Sequence, residues 1–268
     1  MTTVAEFMGS AAASPLNGSS AWASRYAGEL RRVVVEHAAR APRTLQVALG
    51  PSEIGHECDR QVVGKMAGLP TTNHVTDPWP SIMGTAGHAW LADAFSADNA
   101  RHGLRWVPEQ RVEPAPGLTG TADLYDATWR ALVDHKFLSD ASAAKVRAPS
   151  GPAVHYLVQI LLYGRGYRRL GLPVDRVALA VWPRTGSSLD GLYVWERPYT
   201  AEDDRIVDEV LVRTRLRAAV AEQVRGGVLS ITQVPARPDP DTCYFCPLYR
   251  PQSARDGGPG CPGTAGAG

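Results

Sequence analysis

The chain has 268 residues, 44% hydrophobic and 21% charged, with a formal net charge of +1 at pH 7. That balance describes a folded protein of one large domain, or one domain with an accessory piece, and excludes a disordered chain. A charge so near zero gives no whole-molecule attraction to nucleic acid, so a phosphate-binding surface would have to come from local clusters of Arg and Lys. No run approaches the ~18 apolar residues of a membrane helix, and no basic-then-apolar leader opens the chain. The expectation is a cytoplasmic protein with no membrane partner. In that compartment four cysteines point to metal or cluster ligation more than to disulfides.

Residues 1–20 are small and polar and read as a poorly ordered arm. Apolar residues at helical spacing from Ser20 to Arg40 (Trp22, Tyr26, Leu30, Val33, Val34, Ala38) predict a first helix. A turn is expected over 47–56, with Ser52 placed to cap a helix that carries Cys58, Asp59 and Arg60 to about Ala67 before Gly68 and Pro70 stop it. A stronger helix is expected over Ser81–Ala97, containing Gly84, Gly87 and His88. Strand patterns follow at 104–113, 118–125 and 131–138. The stretch 140–151 reads as a polar connection, and Pro152–Leu170 as a helix with Gln159 and Tyr163 one turn apart. Strands at 175–182 and 190–196 lead to a helix over 201–225, whose early acids and late arginines match the helix dipole. The main domain is expected to span 21–234. From Pro235 the chain is rich in Pro and Gly, shows no core pattern, and holds three of the four cysteines.

The hairpin Gly117–Lys136 carries chemistry that a plain hairpin does not need. Asp123 lies in its first strand, and the apolar run Ala131–Val133 leads straight into Asp134-His135-Lys136. Side chains alternate along a strand, so Asp134 and Lys136 share one face and His135 takes the other. Two carboxylates can hold Mg²⁺ or Mn²⁺, and a neighbouring ammonium can orient water or stabilise charge at phosphorus. The plainer reading is a strand-end ion pair. The cysteines offer a second centre: Cys243-x-x-Cys246, with Cys261 after it and Cys58 far upstream. Four thiolates suit a structural Zn²⁺ or an iron–sulfur cluster, and a single C-x-x-C with one remote ligand favours a cluster that staples the two ends of the chain.

In this order the motifs resemble the PD-(D/E)XK nuclease superfamily in its RecB-like branch. The closer similarity is to the four-cysteine iron–sulfur exonucleases of CRISPR adaptation and their phage-encoded relatives. The matching residues are Cys58-Asp-Arg60, Gly84-x-x-x-His88, Gly120-Thr-Ala-Asp123, Asp134-His-Lys136, Gln159-x-x-x-Tyr163, Cys243-x-x-Cys246 and Cys261, spread over about residues 50–262. The resemblance implies an α/β fold with a restriction-endonuclease-like mixed central sheet flanked by helices. It implies Mg²⁺ or Mn²⁺ held by His88, Asp123, Asp134 and the backbone carbonyl of His135, with Lys136 as catalytic lysine beside Asp123 and Asp134. Gln159, Tyr163 and Arg60 would place DNA, and Cys58, Cys243, Cys246 and Cys261 would carry a [4Fe–4S] cluster, with Zn²⁺ as the alternative. The implied activity is a DNA exonuclease acting at single-stranded ends, with recombination or CRISPR adaptation proteins as partners. A non-catalytic DNA-end adaptor and a zinc-stabilised structural protein are the competing readings. Further phosphate contacts are expected from Lys65, Lys145, Arg147, Arg165, Arg168 and Arg169.

Overall fold

The alternating stretches on either side of the polar turn at 126–130 form a five-stranded mixed sheet in the order β1-β2-β3-β4-β5. A computed structural model describes residues 21–40, 49–73 and 77–266. The strands are β1 Trp106–Ala115, β2 Leu118–Asp126, β3 Ala131–Leu138, β4 Arg176–Pro183 and β5 Tyr193–Pro198. Neighbours pair antiparallel except β3 and β4, which run parallel over eight residue pairs from Ala131–Arg176 to Leu138–Pro183. A parallel pair needs a crossover. Here it consists of α5 (Asp140–Arg147) and α6 (Val154–Arg169). The helix α5 replaces the polar connection expected there. Ser139 caps it by accepting from the Ser142 backbone N–H, and Ala143 and Val146 bury against Val181.

Before the sheet come α2 (Pro51–Ile54), α3 (Asp59–Met66) and α4 (Trp79–His102); after it come α7 (Ala201–Arg225), α8 (Pro240–Cys243) and α9 (Ser253–Asp256). Gly50, not Ser52, occupies the cap position of α2, and its N–H donates to Glu53 Oε2. Pro51 sets the first helical position, which places Ser52 inside the helix. The helix α4 outruns its expected span because Pro80 is tolerated in the first turn.

The main core lies between the sheet and α6. Leu132, Val177 and Leu179 from the strands meet Ile160, Leu161 and Tyr167, and α7 contributes Val207. The helix α4 covers the opposite face, where its Phe95 stacks on His135 at 5.9 Å. A smaller core of Cys246, Leu248 and Cys261 sits in the C-terminal segment, which the sequence reading left without one. The buried residues are too few and too widely spaced to make a periodic pattern.

The chain divides into two units, Met1–Leu45 and Gln46–Gly268. The described part of the first is α1 (Ala21–Ala39), with Trp22 and Tyr26 stacked at 5.0 Å along its apolar stripe. The arm expected over 1–20 lies outside the described residues. No helix of the described residues is long and apolar enough to cross a membrane.

Candidate active site

The ladder between β2 and β3 closes over Asp126–Ala131, Tyr125–Leu132 and Leu124–Val133 and then stops. Asp123 and Asp134 are next in line, at the fork where the strands separate. There a side chain replaces the missing ladder bond: Asp123 Oδ2 accepts from the His135 backbone N–H at 2.7 Å. Asp123 Oδ1 lies 3.2 Å from His88 Nδ1 of α4. Gly87 lets α4 come that close, since a Cβ there would fall 2.2 Å from the Phe137 ring. Gly84, one turn earlier, faces open space and serves no such contact.

On the α6 side of the sheet, Lys136 Nζ is 2.7 Å from Asp134 Oδ2, close in distance but off the hydrogen-bonding axis. The Asp134 side chain is 1% exposed, and neither of its oxygens has a hydrogen-bond donor. Helix α6 holds the lysine from the other direction. Gln159 Oε1 accepts from Nζ at 3.0 Å, and the Tyr156 ring lies 4.9 Å from the ammonium in a cation–π contact. Sequence reasoning missed Tyr156, although its position one turn before Gln159 is a usable signal. Tyr163 is buried beneath Gly120, where a Cβ would come within 2.9 Å of its ring and of Pro51. The glycine of Gly120-Thr-Ala-Asp123 therefore seats β2 on α6 and α2.

The charges settle by burial and by neighbours. Burial pushes Asp134 up to about 6 against the pull of Lys136, and the nearby Asp123 carboxylate adds to the rise. Burial alone would discharge Lys136, yet Asp134 and Asp123 hold its pKa above the usual lysine value. For Asp123 burial is outweighed by His88, Lys136 and the His135 N–H, which keep it below the usual carboxylate range. His88 is raised, because Asp123 overcomes its burial. His135 is driven down to about 4 by burial, and its Nδ1 accepts from Trp182 Nε1 at 3.2 Å, so the ring is neutral and packed between aromatic neighbours.

A further acid stands here that sequence reasoning did not single out. Glu109 of β1 joins His88 and Asp123 in a set whose ligand atoms lie within 4.8 Å of one another. Only the strand register shows it, because its flanking pairs Pro108–Leu124 and Gln110–Ala122 set it across from Asp123. Oxygen donors with one imidazole, and a buried carboxylate lacking donors, are the ligand chemistry that Mg²⁺ and Mn²⁺ take, so these residues fit such an ion.

The four cysteines line one cavity, together with Arg60, Arg237 and Tyr249. Cys58 stands just before α3, and Cys243 ends α8. Cys261 returns beside Tyr249 through an isolated bridge, its N–H donating to Leu248 O at 2.6 Å. Asn73, another residue missed in the sequence, donates to the carbonyls of Tyr244 and Cys246 at 2.8 and 2.9 Å and so frames the C-x-x-C turn. The sulfurs receive N–H groups: Arg237 N to Cys58 at 3.4 Å, Asp239 N to Cys243 at 3.3 Å and the Arg60 guanidinium to Cys261 at 3.5 Å. All four are free thiols, and burial lifts Cys243 and pushes Cys246 up to about 12. Tetrahedral Zn²⁺ with Zn–S near 2.3 Å would gather its sulfurs to about 3.8 Å from one another. Among the described residues, no three of these thiols come within 4.8 Å of one another.

The basic residues lie mostly in ion pairs or on backbone carbonyls. Arg60 also donates to Val234 O and Thr232 O, so it faces the cysteine cavity. Lys65 pairs with Glu53, Arg147 donates to Gly191 O, and Arg165 and Arg168 engage Asp204 of α7.

Fold and site together define a mixed α/β protein with a carboxylate–lysine centre at a strand fork. No protein-family model matches the chain, and no curated protein matches it. Two solved structures are similar to part of the chain. The alkaline exonuclease LHK-Exo from Laribacter hongkongensis has 9% identity over 68% of this chain and 95% of its own, at a TM-score of 0.43. The phage-related exonuclease from Haemophilus somnus 129PT has 13% identity over 67% of this chain and 97% of its own, at a TM-score of 0.33. Overlaps this loose leave the function to be read from the site itself.

Proposed function

We propose that the protein is a divalent-metal-dependent deoxyribonuclease of the PD-(D/E)XK type, acting as an exonuclease at single-stranded DNA ends. One observation carries the reading: the Asp134 carboxylate, almost fully buried and without a hydrogen-bond donor, is set between Lys136 and the acid at the strand fork. Left as a plain ion pair, such a group costs desolvation energy that Lys136 alone recovers only in part. Asp123 and Asp134 would hold Mg²⁺ or Mn²⁺ with His88 beside them, together with the His135 carbonyl, and a bound cation supplies a more acidic water and offsets charge on a phosphoryl oxygen.

The chain's own residues do the rest. Gln159 and Tyr156 fix the direction of the Lys136 ammonium, which keeps a donor for the attacking water or the phosphoryl oxygen. His88 orients Asp123 through Oδ1 while the His135 N–H holds Oδ2, so the carboxylate cannot rotate as charge builds on the phosphate. Gln159 meets the centre from the α6 side through Lys136, while Tyr163, buried beneath Gly120, supports that helix from the core and does not line a DNA path.

End-labelled single-stranded DNA with Mg²⁺ or Mn²⁺ tests this directly. Wild type is expected to shorten it, and Lys136→Ala and Asp134→Asn to lose about 10²–10³-fold in rate. Full activity in both variants would remove the assigned centre; tight DNA binding without turnover in wild type would favour the adaptor instead.

At the cysteines we place a [4Fe–4S] cluster rather than zinc. The single C-x-x-C with one remote cysteine favours a cluster, and N–H groups aimed at the sulfurs offset thiolate charge. Anaerobically purified protein should be brown and contain iron and sulfide. A colourless protein with stoichiometric zinc would overturn this assignment.

A further inference from the structure

Arg184 directly follows β4, and its backbone N–H donates to Leu138 O at 3.0 Å. It stands where the parallel pairing of β3 with β4 ends, at the carboxyl ends of two strands, the rim where open α/β sheets take their ligands. Other arginines of the described residues are paired, bonded to carbonyls or out in solvent. Arg184 is half-buried, and among the described residues its guanidinium has no ion pair and no hydrogen bond. Asp140, at the start of α5, accepts from Thr185 Oγ1 at 3.2 Å and does not pair with it. Burial raises the Tyr156 hydroxyl pKa, and the charges of Lys136 and Arg184 both pull against that rise, so two cations act on one ring. Lys136 is matched by Asp134, whereas Arg184 has no counterion in the fold. A half-buried cation left so carries a desolvation cost that an anionic ligand would offset.

We infer that Arg184 binds a phosphate flanking the scissile one and acts as a positioning residue for the DNA strand at Lys136. The choice of DNA as ligand rests on the nuclease reading above. Lys136 pairs with Val181 in the register, so Arg184 lies three positions further on. At the rise of a strand that is about 10 Å, which sets it on a neighbouring phosphate rather than the reacting one. A guanidinium grips a phosphodiester through two parallel N–H donors and does so without selecting the base. Residues 185–188 are all exposed, which leaves this rim open to a strand.

Fluorescence anisotropy of a labelled, mixed-sequence single-stranded oligonucleotide on anaerobically purified full-length protein measures this contact. Ca²⁺ replaces Mg²⁺ to hold turnover down, since it lacks the tight octahedral geometry of Mg²⁺. Arg184→Ala is expected to weaken binding about five- to tenfold and to reduce the slope of log K against log salt by about 0.7, the share of one phosphate on a single strand. Arg184→Lys should restore the slope, because an ammonium also displaces a counterion, but only part of the affinity. Arg215→Ala, which removes an exposed arginine of α7, should change neither. Arg184→Ala should also melt no lower than wild type, because the charge it removes has no partner in the fold. Weaker binding together with a markedly lower melting temperature would make Arg184 a structural residue and overturn the assignment. Unchanged affinity and slope in Arg184→Ala would overturn it too, and would leave the nuclease standing where wild type digests the same DNA in Mg²⁺. The expected Arg184 effects in a wild type that digests nothing would keep the contact and sink the hydrolytic reading; a wild type that binds no DNA would sink both.

Discussion

The absence of one methyl group at Gly87 sets how near α4 comes to β3, and with it the distance from His88 to Asp123. Adding a Cβ would bring it 2.2 Å from Phe137, a ring already packed against Trp182 and His88. Gly87→Ala is expected to destabilise the fold by about 1–3 kcal/mol and to lower the rate of DNA hydrolysis, because the helix must shift outward with its histidine. Gly84→Ala meets nothing within 4 Å and should be neutral, or stabilise α4 by up to about 1 kcal/mol. Equal behaviour of the two variants in melting and activity would refute the close-approach role. Asp126 shows the same dependence on neighbours in acid. Burial raises its pKa, but the Arg105 fork at 2.6 and 3.1 Å and the N–H groups of Trp129 and Thr128 outweigh that, so it lies below the usual range. Its contribution is complete above the unfolded carboxyl value near ~3.9 and fades as pH falls through the lower folded value. The stability gap between wild type and Asp126→Asn should thus be widest near neutrality and shrink below about pH 4. A gap that stays constant into acid would contradict the pairing.

Between elements, one arginine joins the long helix α7 to the segment that carries both His56 and Cys58. Arg217 is 4% exposed and donates to Ile54 O, His56 O and Asp59 Oδ1 at 2.8, 2.6 and 2.8 Å. Arg217→Met would strand two carbonyls and half-free Asp59, for an expected loss of about 2–4 kcal/mol in urea unfolding. A change under about 0.5 kcal/mol, the range of ordinary surface substitutions, would show that the network is incidental. The same segment stacks His56 on His155 at 5.5 Å, one residue before Tyr156, so it also steadies the start of α6 beneath Lys136. Such links explain what could be read from sequence and what could not. The strands β2 and β3, and the pairing of Asp134 with Lys136 on one face, were legible because period-two alternation fixes which residues share a side. Gln159 was singled out only through the family resemblance, because its helical spacing from Tyr163 by itself also fits an ordinary helix pair. Glu109 was not, since an acid in β1 means nothing until the register sets it against Asp123. Helix α5 was missed because eight residues starting at a serine cap give too short a period to distinguish from a loop. Arg165 and Arg168 looked like phosphate contacts because their partners, Asp204 and Asp208, sit on a helix some 40 residues later; side-chain pairing at that distance has no local signal.

For the whole molecule, the cysteine cavity joins a residue from before the sheet to three from beyond the last long helix. The C-terminal segment has only a small core, Cys246, Leu248 and Cys261 with Leu69, Ile231 and Tyr249 around it, which is separate from the main core on the sheet. Its ties to the rest of the fold include the Thr72 and Asn73 N–H groups on Pro247 O at 2.9 and 3.0 Å, the Asn73 amide on the C-x-x-C carbonyls, the Arg60 N–H on Pro235 O at 3.0 Å, and the Arg237–Glu57 ion pair. A group bound to all four thiols would close a loop that spans the entire sheet, and loop-closure entropy grows only slowly with length, so its large span adds little beyond a shorter clasp. The consequence is local rather than global. Removing the group with chelator and oxidant, or replacing Cys58 by Ser, should loosen residues from about 235 onward while the sheet, α6 and α7 keep their packing. Limited trypsin digestion reads this out: cleavage after Arg255, the one arginine from 235 onward not followed by proline, should accelerate first, with far-ultraviolet circular dichroism almost unchanged. The hairpin centre should then lose DNA hydrolysis less than the segment loses protection, because Asp123, Asp134 and Lys136 are held by the strand fork and by α6, and the clasp reaches them only through the segment around His56. Uniform digestion along the whole chain at the same rate would instead make the cysteine centre part of one cooperative core, and the separation of the two cores would have no energetic meaning.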